Sequence, residues 1–139
     1  MEIIAVPVQT VAENQNVQFT DSVTCGNCSI LHRTGSGLVT LKGNTQQCRA
    51  RYKVSFGGNI AIPTDGTVEE ISLALSVDGE PIGSTLMIET PAAVEEFSNV
   101  FSAIFIDVPR GCCLSVSIRN TSTQPIDVQN ANLIVERVA

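Results

Sequence analysis

The sequence predicts an all-β fold, a single-domain jelly-roll β-sandwich, and three observations carry that prediction. Apolar and polar residues alternate with a period of two along most of the chain, and no segment sustains the helical period of about 3.6 residues. Turn signals rich in glycine, asparagine and aspartate separate the short apolar runs. With 139 residues, the chain is long enough to bury one core, so we assign residues 1–139 to one domain.

About ten short segments carry the alternation, as is typical of antiparallel strands in a sandwich or jelly roll. The clearest connection between two of them is Asp78-Gly79, where glycine adopts the positive φ that a tight hairpin requires. The predicted strands are residues 2–12, 16–20, 29–33, 38–42, 48–56, 68–78, 81–90, 96–108, 112–119 and 126–138.

The segment 96–108 departs from the rule that a sandwich strand buries only one face. Val100, Ile104, Ile106 and Val108 line one face, whereas Phe97, Phe101, Ala103 and Phe105 line the other. Either a loop covers the second face or another subunit does. Because large aromatic rings supply much of the buried area at interfaces, we predict that the three phenylalanines form an oligomer interface.

Charge and composition exclude several classes of partner. The net charge is −6 with only eight Lys and Arg, whereas a nucleic-acid binder needs a basic face. Charged residues make up only 16% of the chain, which favours a surface partly covered by a partner. The N-terminus lacks the pattern of a secretory signal, and no apolar run is long enough to span a membrane. We therefore expect no membrane partner and folding in a reducing cytoplasm.

Cys25 and Cys28 form a C-x-x-C motif, which raises the question of zinc or redox chemistry. Zinc needs a second converging pair of ligands, and the adjacent Cys112 and Cys113 point to opposite faces of a strand. A redox motif opens a helix, and no helical pattern follows Cys28. The sequence therefore predicts no metal and no cofactor.

The remaining thiols are separated by strand parity, that is, by whether a residue is odd- or even-numbered and so which face of the strand its side chain takes. Cys48 and Cys112 share parity with apolar neighbours, so we expect them to pack inward, whereas Cys113 faces outward. Five cysteines cannot all pair within one chain. Cys25, Cys28 and Cys113 are therefore candidate thiols for an intermolecular cross-link, although we favour buried or unreacted thiols.

No constellation of residues indicates catalysis. His32, the single histidine, has no serine-glycine elbow or paired carboxylate beside it.

Arg49, Arg51 and Lys53 alternate along one predicted strand and form a basic face. That face is either solvated or a surface that pairs with glutamates of another subunit or binds an acidic partner.

Residues 48–139 resemble the jelly roll of tumour necrosis factor and the complement globular head. The resemblance rests on the hairpin at Val77-Asp78-Gly79, the alternation from Leu114 to Ile118, and a last strand with Ala131, Leu133 and Val135. That family forms compact trimers through aromatic residues on inner-sheet strands. The resemblance therefore implies a homotrimer held by Phe97, Phe101 and Phe105.

The whole chain, from VQTVAENQNVQFTD to NTSTQPIDVQNANL, is similar to small proteins from prophage regions of gut Firmicutes, which sit among virion structural proteins. This resemblance implies a non-enzymatic virion protein, a trimeric capsid decoration or cap protein assembled in the bacterial cytoplasm. Residues 1–20 are then a candidate extended docking segment, and the phage capsid or another virion protein is the expected partner.

Two alternatives belong to other classes. One is a self-polymerising filament subunit of the bacterial surface, with sheet edges augmented by a neighbour and cysteines locking the joints. The other is a receptor- or glycan-binding module. With one tyrosine and no tryptophan, however, the chain offers little stacking surface for sugars.

Overall fold

The structure of this chain is a computed structural model that describes residues 1–24 and 29–139, with side chains for all of these except residues 23 and 24. The predicted thiol pair Cys25 and Cys28 lies outside the described residues. In the described part, twelve strands and one short 3₁₀ turn form, and no α-helix is present. The predicted all-β fold of antiparallel strands is confirmed.

The strands follow one another with short connections. Their bounds are β1 Glu2–Ala5, β2 Gln9–Val11, β3 Asp21–Thr24, β4 Ile30–His32, β5 Val39–Lys42, β6 Arg49–Ala61, β7 Ile71–Val77, β8 Glu80–Pro81, β9 Met87–Glu89, β10 Ser98–Pro109, β11 Cys113–Asn120 and β12 Ile126–Arg137. The 3₁₀ turn, Gly83–Thr85, lies between β8 and β9.

Two antiparallel sheets form the sandwich. Sheet 1 has the order β10-β6-β12-β1-β3, with β2 also paired to β12. Sheet 2 has the order β4-β5-β11-β7-β8, with β9 also paired to β7. The longest pairing joins β10 to β6 without a register shift, from Ser98 opposite Ile60 to Pro109 opposite Arg49. Because side chains alternate strictly along both strands, this register fixes which β10 side chains face the core.

The core lies between the sheets and is apolar, as the alternation predicts. β6 contributes Ala50, Tyr52, Val54 and Phe56, all fully buried, while the intervening side chains face solvent. Tyr52 also joins the two sheets. Its hydroxyl group donates a hydrogen bond to the Lys42 carbonyl at 2.7 Å and lies 3.4 Å from the Ser29 carbonyl.

The first twenty residues are built into the sandwich. The strand predicted over 2–12 is divided into β1 and β2, and both lie in sheet 1. The strand predicted over 16–20 is absent. Only Asn16 makes an isolated bridge there, to Arg119, although Val17 and Phe19 are fully buried. An extended docking arm formed by residues 1–20 would therefore have to present exposed residues of this segment, such as Val6 and Val8.

The hairpin at Asp78-Gly79 is confirmed, with φ values of 51° and 84° between β7 and β8. β7 itself differs from the expected one-sided strand, because Ile71 to Ser76 are all buried. On its outer face, Arg119 stands opposite Ala74 and donates to the Gly79 carbonyl, while the Ser72 hydroxyl lies 2.6 Å from that of Thr121. Such a contact joins residues distant in sequence and leaves no trace in the period-two pattern.

We expect Tyr52→Phe to lower the free energy of unfolding by about 1–2 kcal/mol, because the Lys42 carbonyl loses its buried donor. The apolar ring still fills the core, so the fold is retained. Urea denaturation monitored by circular dichroism measures the change. Thr64→Ala, which removes a hydroxyl from an exposed residue in the loop between β6 and β7, is the control and should stay within about 0.5 kcal/mol of the wild type. Equal midpoints for Tyr52→Phe and the wild type would show that the cross-sheet hydrogen bond is not stabilising.

Candidate functional site

The outer face of sheet 1 carries a group of exposed apolar side chains, which we call the aromatic face. The exposed fraction of the residue is 66% for Phe101, 61% for Phe105 and 43% for Ile134, which is large for apolar residues. These positions are neighbours across the sheet. Phe101 of β10 pairs with Gly57 of β6, Gly57 pairs with Asn132 of β12, and Asn132 pairs with Ile4 of β1. The aromatic face comprises Ile4, Gly57, Phe101, Phe105 and Ile134.

Local sequence explains why the two phenylalanines point outward. In β10 the buried positions Val100, Ile106 and Val108 share one parity, so Phe101 and Phe105 must take the other. Gly57 lies directly opposite Phe101, and a Cβ built on it would lie 3.7 Å from the Phe101 ring. The ring therefore stands beside the bare glycine backbone, an arrangement in which an aromatic side chain shields a strand glycine.

Phe97 occupies a different position from the other two predicted interface residues. It precedes β10 and is 38% exposed, less than Phe101 and Phe105. The structure therefore places Phe101 and Phe105 together on the open sheet and Phe97 at its margin.

β10 is also an edge strand of sheet 1, and β9 of sheet 2 lies beside it. Between them is an open cleft of about 300 Å³ whose walls include Leu86, Ile88, Asn99 and Phe101. Leu86 and Ile88 are 42% and 51% exposed. Glu89 and Asn99 also line the cleft, so the edge of the sandwich beside the aromatic face carries both apolar and polar side chains.

Sequence analysis missed Ile134, Leu86 and Ile88. Ile134 lies between Asn132 and Glu136 at the outward positions of β12, so an apolar residue in an otherwise polar row was the available signal. Leu86 follows the 3₁₀ turn, and Ile88 lies in the three-residue strand β9, which is too short for the alternation of its side chains to be read from the sequence.

A charged group borders the aromatic face. The Arg51 guanidinium donates to both carboxylate oxygens of Asp107, at 2.8 and 3.1 Å, and Arg49 Nε lies 3.2 Å from the same carboxylate. These hydrogen bonds lower the pKa of the Asp107 carboxyl and raise the pKa of Arg51. Asp107 therefore binds Arg49 and Arg51, two members of the predicted basic face. The third member, Lys53, lies opposite Phe105 on the neighbouring strand β10 and opposite Glu136 on the other neighbouring strand, β12.

The cysteines are more exposed than strand parity predicts. Cys113 is exposed, as predicted, but Cys48 and Cys112 are exposed too, and the expectation that these two pack inward is wrong. Both precede a strand, since β6 begins at Arg49 and β11 at Cys113. Alternation of side chains holds only inside the paired strand, so it does not govern these two residues.

Within the described ranges 1–24 and 29–139, no three His, Cys, Asp or Glu side chains are placed to hold a metal ion. His32 has a structural environment: its Nε2 donates to the Ser36 carbonyl at 2.9 Å, and its ring packs edge-on against Phe19. Across the same ranges, no helix is long and apolar enough to cross a membrane.

Comparison with solved structures establishes the class of fold. The globular domain of zebrafish complement 1qA protein superposes with a TM-score of 0.64 at 14% identity, covering 96% of this chain and 93% of that one. Murine APRIL superposes with a TM-score of 0.59 at 10% identity, covering 95% and 96%. The chain therefore has the jelly-roll fold of the complement globular head and of tumour-necrosis-factor-like proteins. No protein-family model matches the sequence, and no curated protein matches it.

Asp107→Asn tests the charged group through its dependence on pH. A carboxyl whose pKa falls on folding stabilises the fold above its unfolded pKa of about 3.9, and this contribution is lost as the pH drops through the folded value. We therefore expect the wild type to melt above Asp107→Asn at pH 7, and the difference to shrink as the pH falls below about 3.9 and to vanish once the pH lies below the folded pKa of the carboxyl. The effect should also shrink in high salt, because the group is exposed.

Thermal melts between pH 2 and pH 8 measure this difference. Asp65→Asn, in the exposed loop between β6 and β7, is the matched control and should show no such pH-dependent gap. If the melting temperatures of the wild type and Asp107→Asn differ by the same amount at every pH, the Asp107 carboxylate does not stabilise the fold through its charge.

Proposed function

We propose that this chain is a non-enzymatic, self-assembling module whose aromatic face packs against a second copy. The observation that carries the proposal is the exposure of Phe101 and Phe105 on the same open sheet, at 66% and 61%. Soluble monomers do not usually leave contiguous apolar surface of this kind uncovered.

The physical argument concerns buried area. Each phenylalanine buries roughly 150–250 Å² when covered, at about 25 cal/mol per Å² of apolar surface. Ser55, Gly57 and Ala103 are the small residues between and beside the two rings, and they leave room for side chains of a partner. The Arg51–Asp107 pair lies beyond Phe105, so the apolar centre has a polar margin, as protein interfaces commonly do.

A homotrimer is the form of assembly that we favour. Its support is the fold, shared with complement 1qA and APRIL, together with the sequence resemblance to a family that forms compact trimers. In this arrangement, Phe97 at the margin of the aromatic face contributes to the same contact.

The finer role that we propose is decoration or capping of a phage particle, with localisation in the virion after assembly in the bacterial cytoplasm. Sequence resemblance to prophage-encoded virion proteins supports it. The basic face of Arg49, Arg51 and Lys53 and the exposed Val6 and Val8 are then candidate contacts to the capsid.

A bacterial surface filament is the second candidate, and one observation favours it. Three described cysteines are exposed, which suits a covalently locked assembly. A glycan- or receptor-binding module is a weaker candidate, since the chain has no tryptophan and its one tyrosine is fully buried in the core.

Phe101→Glu should convert the oligomer into a monomer, because a carboxylate would have to be buried without a partner in the contact. Light scattering coupled to size-exclusion chromatography gives the mass in solution. Leu38→Glu introduces the same charge at a 47% exposed residue next to β5 of sheet 2, and it should leave the mass unchanged. An unchanged mass for Phe101→Glu, or an equal loss of assembly in both variants, would refute the aromatic face as the contact.

Density-gradient purification of particles from the bacterium that encodes the chain tests the virion role. The protein should band with intact capsids at a constant ratio to the major capsid protein. Protein found only in the soluble fraction or on sheared cell-surface filaments would overturn the virion assignment, and filaments would establish the alternative. Neither result bears on self-association, which the Phe101→Glu measurement tests separately.

A further inference from the structure

Three cysteines lie in two neighbouring connections at one end of the sandwich. Cys48 ends the loop between β5 and β6, and Cys112 and Cys113 close the turn between β10 and β11. All three are exposed, and none is in a disulfide. We call this cluster of Cys48, Cys112 and Cys113 the thiol end.

Backbone contacts hold the two connections of the thiol end together. Arg110 N donates to the Cys48 carbonyl at 3.0 Å, and Gly43 N donates to the Cys112 carbonyl at 2.8 Å. The approach is so close that a Cβ on Gly43 would lie 2.1 Å from the Pro109 carbonyl oxygen. The thiols are therefore presented on tightly packed backbone.

Geometry disfavours closure of the adjacent pair within one chain. Neighbouring residues across a trans peptide have Cα atoms about 3.8 Å apart. Disulfides usually join Cα atoms about 4.4–6.8 Å apart, so a Cys112–Cys113 bridge needs a distorted backbone. At least one exposed thiol of this pair is thus available to an external sulfur.

Two basic residues accompany the adjacent thiols. Arg110 precedes Cys112 by two residues, and Lys42 stands opposite Cys113 in the register of β5 with β11. Arg49, which follows Cys48, is paired with Asp107. Cys48 and Arg49 also line, with Arg51, a cleft of about 300 Å³. Positive charge around exposed thiols attracts an anionic disulfide such as oxidised glutathione, which carries carboxylates.

We propose that the thiol end is a thiol–disulfide exchange site that takes an anionic low-molecular-weight disulfide and then joins two copies of the chain. In the first step, the thiolate of Cys112 or Cys113 attacks one sulfur of oxidised glutathione. A mixed disulfide forms, and one glutathione thiolate leaves. In the second step, a thiolate from another copy attacks the protein sulfur of that mixed disulfide and releases the second glutathione. Two protein thiols are oxidised in total, and one glutathione disulfide is reduced to two thiols.

The reduced full-length protein, incubated with oxidised glutathione and quenched with acid, tests the proposal by intact mass and non-reducing gel electrophoresis. We expect a mixed disulfide followed by a cross-linked dimer. The double variant Cys112→Ser with Cys113→Ser should reduce the dimer at least about tenfold, since both attacking sulfurs are gone. The matched control, Cys25→Ser with Cys28→Ser, should retain it. Full cross-linking in the first variant, or its loss in the control, would overturn the assignment.

A second measurement tests the role of the basic residues. The initial rate of mixed-disulfide formation with oxidised glutathione should fall with added salt and in Lys42→Glu with Arg110→Glu. With the uncharged hydroxyethyl disulfide, the rate should change little under either condition. Equal salt dependence for both reagents would exclude charge attraction. Repeating the cross-linking on Phe101→Glu separates this site from the aromatic face, because the exchange chemistry does not require that contact.

Discussion

The unbroken register between β6 and β10 is the constraint on which the rest of the structure depends. The pairing runs from Ser98 opposite Ile60 to Pro109 opposite Arg49 with no bulge. A slip by one residue would turn Phe101 into the core and Val100 out to solvent, since side chains alternate between the faces. The same register aligns Tyr52 with Ile106 inside the sandwich. Core packing and the aromatic face are therefore two consequences of one pairing.

The aromatic face and its charged border have complementary physical roles. Phe101, Phe105 and Ile134 present apolar area whose removal from water favours association. Asp107 stands on the same outward side of β10 and holds two arginines at the margin of this surface. Paired charges at the margin remain solvated when the centre is covered, so they orient a contact more than they strengthen it.

The thiol end lies where the strands end rather than on a sheet face, so its chemistry is separable from that of the aromatic face. The proposed noncovalent packing through sheet 1 and the proposed covalent joining at the end of the sandwich would act on different surfaces of the same chain. A module with both features can first assemble in reducing surroundings and become locked after exposure to a disulfide.

The sequence by itself determined the fold class, the Asp78-Gly79 hairpin and the shared parity of Phe101 and Phe105, because alternation and turn chemistry are local properties of the chain. Only the tertiary structure decided that Ile134 and Gly57 join those rings, since their approach depends on which strands become neighbours. It also decided the exposure of Cys48 and Cys112 and the burial of both faces of β7. Parity gives the side of a strand on which a residue lies. What covers that side, and where the strand ends, are set by contacts between residues distant in sequence.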